Sequence, residues 1–246
     1  MQPIVILISF GAFIATLVGG LVAIWLKDKL HLILGFSAGA VIAVAFFDLL
    51  PEAIGLGKNY YSIMTVTSIV AAGFLVYLIL DRMIFLHAHA DEHDNLDMHK
   101  HDSGGVLGAG SLSVHSFLDG VAIGLAFQVS VSIGAIVAVA VLVHDFSDGI
   151  NTVNLILKNQ GESSKAFRWL IVDALAPVIG VTSTLFFQLP ENALAIILAL
   201  FAGFFLYIGA SDLIPESHHA HPRFMTTLMT LLGAAILYMA INMANL

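Results

Sequence analysis

The chain contains no cysteine. Disulfides and thiolate metal ligands are therefore excluded together, and any metal chemistry must rest on oxygen and nitrogen donors. Charge is scarce too. Asp, Glu, Lys and Arg make up 11% of the 246 residues, and only nine residues are Lys or Arg. With 59% hydrophobic residues, that excludes an ordinary soluble domain and any basic footprint for a nucleic-acid partner. Two motifs are also missing: no G-x-x-x-x-G-K-[ST] nucleotide loop occurs, and no H-E-x-x-H zinc-hydrolase signature. The composition is that of a polytopic membrane protein, with the lipid bilayer as its surroundings.

Eight apolar runs are long enough to cross about 30 Å of hydrocarbon. They fall near residues 4–26, 32–50, 63–86, 106–129, 132–157, 167–187, 194–214 and 224–243. The expected fold class is all-α, one transmembrane domain over residues 1–246. The first run lacks a basic n-region and reads as a retained helix, not a signal peptide. Connections are short except the third, residues 87–105, which is polar and rich in His and Asp. Lys27, Lys29, Arg82, Lys100, Lys158, Lys165, Arg168 and Arg223 fall in or beside the odd-numbered connections; Lys58 alone falls on the other side. The positive-inside rule then puts both termini outside a cell (inner) membrane and the His-rich loop in the cytoplasm.

Two pairs of strings recur. His115-Ser116-Phe117-Leu118-Asp119-Gly120 in the fourth run resembles His144-Asp145-Phe146-Ser147-Asp148-Gly149 in the fifth. Asp48-Leu49-Leu50-Pro51-Glu52 ends the second run, and Asp212-Leu213-Ile214-Pro215-Glu216 ends the seventh. On this topology each pair sits on oppositely directed helices. The pattern predicts an inverted repeat of three helices on either side of a central pair (3+2+3), an arrangement suited to alternating access around a midplane site.

The central hexapeptides place a His and an Asp four residues apart, on one helix face. Asp145 adds a further acid, and Asp173 sits one turn before Pro177 in the sixth run. An ionised Asp at the middle of a membrane helix costs roughly 2.5–3.5 kcal/mol, so four cost on the order of 10–14 kcal/mol. Every Lys and Arg lies in a loop or at a helix end, so hydration, protonation or bound cations must offset that cost. Two imidazoles among carboxylates suit Zn²⁺, Fe²⁺ or Mn²⁺ better than Cu⁺, Mg²⁺ or Ca²⁺.

These features together resemble the ZIP family (Zrt/Irt-like proteins), of the small prokaryotic type. The resemblance rests on eight spans, external termini, the His-rich third connection, the two hexapeptides and the P-E ends of the second and seventh runs. It implies uptake of divalent transition metals into the cytoplasm, zinc first and iron, manganese or cadmium besides. By position, one metal site would use His115, Asp119, His144 and Asp148. A second would use Asp119, Asp145, Asp148 and Asp173, with Ser116 as a weak extra where many members have Asn. The resemblance further implies a homodimer whose first, fourth, fifth and sixth helices move as a unit in an elevator-like step.

Asp48 with Glu52 would recruit cations outside, and Asp212 with Glu216 would receive them inside; helix termination and interfacial solvation explain the same residues. His87, His89 and the tract through His101, together with His218, would bind metal weakly at the exit or serve as a hydrated linker. Gly35-x-x-x-Gly39 and Gly120-x-x-x-Gly124 are expected to let helices approach closely. The rival reading from another class is an intramembrane zinc-dependent hydrolase holding one catalytic Zn²⁺ on the same His and Asp residues. Against it stand the missing signature and the surplus of carboxylates.

Overall fold

The computed structural model describes residues 2–22, 30–90, 101–158, 162–218 and 224–244. Among the described residues there are helices and short connections but no strand. Eight helices among the described residues are long and apolar enough to cross a membrane, so the chain is a multi-pass membrane protein. They are α1 (Gln2–Val22), α2 (Leu30–Val44 continuing through Ala45–Leu49 and Leu50–Gly57), α3 (Ile63–Ala90), α4 (His101–Val129), α5 (Val131–Lys158), α6 (Ser163–Thr184), α7 (Glu191–Tyr207 continuing through Ile208–Leu213 and Ile214–His218) and α8 (Phe224–Ala244).

In lipid every backbone polar group needs an internal partner, so these apolar runs are helical throughout their length. The connections use ordinary capping. The Thr65 N–H donates to Ser62 Oγ at 3.1 Å as α3 begins. The Ile133 N–H donates to Ser130 Oγ at 3.1 Å, and Ser130 alone separates α4 from α5. Gln128 fastens the α6–α7 connection: its Nε2 donates to the carbonyls of Thr184 and Phe187 at 3.1 and 2.9 Å, and its Oε1 accepts from the Leu189 N–H at 3.1 Å.

The second and seventh helices correct the sequence reading. Asp48 to Glu52 and Asp212 to Glu216 do not end their helices, which run on to Gly57 and His218. The reason is a π-helical turn before each proline, at Ala45–Leu49 and at Ile208–Leu213. The Leu50 N–H reaches back five residues to the Ala45 carbonyl, and the Ile214 N–H does the same to Gly209. A proline ring would strike the carbonyl four residues earlier in a regular helix; the widened turn accommodates it. Helices α3 and α4 likewise extend past the expected spans, and residues 91–100 of the His-rich tract lie outside the described residues. So do residues 219–223. The backbone at His87, His89 and His218 is helical, and their side chains lie outside the described ones.

Neighbouring helices meet through small residues, as association in lipid requires. A Cβ on Gly39 of α2 would overlap the Thr230 carbonyl of α8, and one on Gly233 of α8 would overlap the Phe36 carbonyl of α2. The same reciprocal seat joins α3 to α7 (Gly73, Gly203), α1 to α5 (Gly19, Gly149) and α4 to α6 (Gly120, Gly180). Gly35 and Gly124, from the two G-x-x-x-G strings, face Thr226 and Thr184. The most extensive contacts bring α1, α4, α5 and α6 together, and separately α2, α3, α7 and α8. The two groups meet chiefly through α2 against α5 and α3 against α4.

Candidate metal centre

The polar interior is built where α4 and α5 cross. The i, i+4 spacing aligns His115 with Asp119 and His144 with Asp148, and antiparallel pairing turns the two rows toward each other. One donor atom from each of these four residues lies within 4.8 Å of the other three, and all four residues are buried. His115 Nε2 stands 3.1 Å from Asp119 Oδ2 and 3.5 Å from Asp148 Oδ2. His144 Nε2 stands 3.3 Å from Asp119 Oδ2 and 4.0 Å from Asp148 Oδ2. Asp119 therefore faces both imidazoles.

Asp145 lies behind this group. It is fully buried, its Oδ1 is 4.0 Å from His144 Nε2, and neither of its oxygens has a hydrogen-bond partner among the described residues. Asp148 Oδ2 is buried without a hydrogen bond as well. Asp173 is held differently: its Oδ1 accepts from Ser116 and its Oδ2 from Thr152, both at 2.9 Å. Ser116 thus spends its hydroxyl proton on Asp173. None of the ion pairs in the centre involves Lys or Arg. A buried set of carboxylates and imidazole nitrogens whose ion pairs include no Lys or Arg is chemically fitted to a divalent metal, which supplies the counter-charge.

Three supporting groups escape sequence reading. Tyr77 of α3 places its hydroxyl 2.7 Å from His115 Nδ1. His144 Nδ1 lies 3.0 Å from the Ala140 carbonyl. A carbonyl only accepts, so the ring carries a proton at Nδ1, and Nε2 is the nitrogen that faces the Asp119 carboxylate. Thr152 is also new. It follows Asp148 by four residues, a spacing that would have found it.

The four outlying acids separate into two places. Asp212 lies within electrostatic reach of Asp148, His115, Asp81 and Glu216, and Glu216 Oε2 accepts from Asn151 Nδ2 of α5 at 3.2 Å. Asp48 neighbours Glu52, and its Oδ2 is buried with no hydrogen-bond partner among the described residues.

Eight membrane-crossing helices around an inward-facing His and Asp cluster define a polytopic membrane protein with a centre fitted to a divalent cation. Comparison with known proteins agrees. The family model described as ZIP zinc transporter matches residues 86–241, more than half of the chain. The chain belongs to the ZIP zinc transporter family, which is a family of transporters and not of enzymes. Zinc transporter ZupT of Corynebacterium aurimucosum is 26% identical over 247 residues, covering 94% of this chain and 92% of that protein. Zinc transporter ZIP6 of Homo sapiens is 32% identical over 107 residues, 43% of this chain and 14% of its own length. Zinc transporter ZIP13 of Pongo abelii is 24% identical over 196 residues, 75% of this chain and 57% of that protein. The chain thus spans only part of several of the longer relatives it matches.

Proposed function

We propose that this protein carries divalent transition-metal cations, zinc foremost, across a membrane into the cytoplasm. The observation that carries the reading is the meeting of His115, Asp119, His144 and Asp148 with all four donor atoms within 4.8 Å, buried and without a basic partner. Family membership and the ZupT likeness over most of both chains support it. Iron, manganese and cadmium suit the same donors. Asp145, whose two oxygens lack hydrogen bonds among the described residues, and Asp173 supply a second metal position beside the first, with Asp119 and Asp148 shared between them.

In this reading hydrated metal is drawn to Asp48 and Glu52, exchanges water for the central ligands, and leaves past Asp212 and Glu216 toward the histidine-rich tract. A dication moving down 100 mV gains about 4.6 kcal/mol, so no nucleotide hydrolysis is needed. We place both termini outside, on the distribution of Lys and Arg. The inverted repeat is supported by the matching π turns of α2 and α7. It is also supported by the pairing of helices, in which α1–α5 and α2–α8 correspond to α6–α4 and α7–α3. An elevator-like shift of α1, α4, α5 and α6 against the other four, within a homodimer, fits the denser packing inside each group.

The test is uptake by proteoliposomes. Zinc should accumulate with time, driven by an inside-negative potential, and His115→Ala or Asp148→Ala should abolish it. Competition among zinc, iron, manganese and cadmium ranks the substrates. Purified protein that accumulates no metal under either gradient would overturn the proposal.

A further inference from the structure

We propose that Tyr77 is a positioning residue of the metal centre, holding the His115 ring so that Nε2 faces Asp119 and Asp148 in either tautomer. The proposal rests on the reading of His115 as a metal ligand. The Tyr77 hydroxyl is 2.7 Å from His115 Nδ1, and the two rings meet edge-on with centroids 5.7 Å apart. Tyr77 belongs to α3, in the other helical group from α4. It is not free to drift. Phe204 and Tyr207 of α7 pack on its ring at 5.4 and 5.2 Å. Tyr207 is itself tied down, since its hydroxyl donates to Asp81 Oδ2 at 2.8 Å and Phe74 meets it edge-on at 5.4 Å.

The two histidines are therefore held by different chemistry. His144 meets a carbonyl, which accepts only and fixes one tautomer. His115 meets a phenol, which donates or accepts. A proton on His115 Nε2 would face Asp119 Oδ2 at 3.1 Å, and Tyr77 would then donate to Nδ1. With a cation on Nε2, the single ring proton sits on Nδ1 and Tyr77 accepts it. The hydrogen bond survives both states, and the ring keeps its aim.

The experiment uses the full chain in lipid nanodiscs, with Zn²⁺ affinity measured against a chromophoric chelator and histidine tautomers read from imidazole ¹⁵N shifts. In the native protein, Zn²⁺ should bind His115 through Nε2 with the ring proton on Nδ1; coordination through Nδ1 overturns the proposal without any variant. Tyr77→Phe should weaken Zn²⁺ binding about 10- to 100-fold, the range for groups that orient metal ligands. Tyr238→Phe, which removes a hydroxyl from an exposed ring on α8 away from the centre, should leave affinity and the His115 signals unchanged. The double variant Tyr77→Phe with His115→Ala should bind no more weakly than His115→Ala alone. Equal effects from the two tyrosine variants, or additive effects in the double variant, would show general loosening and overturn the role. If His115→Ala alone leaves affinity intact, the ligand reading of His115 fails first and this inference fails with it.

Discussion

His144 Nδ1 lies 3.0 Å from the carbonyl oxygen of Ala140, one turn earlier on the same helix. The contact decides how the ring can be used. With Nδ1 committed to the backbone, Nε2 is the nitrogen offered to the Asp119 carboxylate at 3.3 Å and, in the proposed function, to the metal. A residue usually regarded as a pH-variable ligand is here set into one orientation by its own helix.

Acidification should therefore close the centre. A metal needs the Nε2 lone pair, and an imidazolium has none; carboxylate protonation acts in the same direction. Zinc affinity should fall as pH drops and the imidazoles and carboxylates take up protons. Zinc binding at constant pH should release protons. Calorimetry in buffers of different ionisation enthalpy measures that number, and zero release would contradict the prediction.

Asp119 should be the most sensitive carboxylate, because its Oδ2 lies within 3.3 Å of both imidazoles. Asp119→Asn keeps the shape and removes the charge. Zinc affinity should fall by about a hundredfold or more, beyond what loss of an outer supporting group usually costs. Equilibrium dialysis with radioactive zinc gives the number directly.

Thr152→Val should destabilise the protein by about 1.5–3 kcal/mol, since it deletes a hydroxyl that donates to the buried Asp173 at 2.9 Å. Thr182→Val is the control. That exposed hydroxyl donates only to the Val178 carbonyl of its own helix, so its loss should stay within about 0.5 kcal/mol. Unfolding in mild detergent compares the two.

Gly39→Ala and Gly55→Ala, both in α2, should move stability in opposite directions. A methyl at position 39 meets the Thr230 backbone and should cost about 1–3 kcal/mol. At position 55 nothing lies within 4 Å, and the better helix former should add up to about 1 kcal/mol. Thermal midpoints of the two variants test this.

Hydropathy was enough to find all eight helices, because a run of some twenty apolar residues has few other uses. Spacing was enough to pair His115 with Asp119 and His144 with Asp148. The ends of α2 and α7 were misread because Pro51 and Pro215 ordinarily terminate helices, and a π turn leaves no composition signal. Tyr77 went unseen for another reason: one tyrosine in an apolar helix has no partner in sequence, and its meaning comes from α3 lying beside α4. Asp145 and Asp173 looked equivalent on paper. Folding gives Asp173 two hydroxyl donors and leaves Asp145 with no hydrogen-bond partner among the described residues.

The reciprocal glycine seats have a mechanical consequence. Among the described residues, every such backbone-to-backbone seat joins helices of the same four-helix group, and none spans the boundary between groups. Each group is thus joined backbone to backbone, and the two groups touch through side chains such as Tyr77 on His115 and Ser37 on the Val143 carbonyl. Bulk added at a glycine seat should pry one group apart, whereas bulk added along the boundary should leave each group intact.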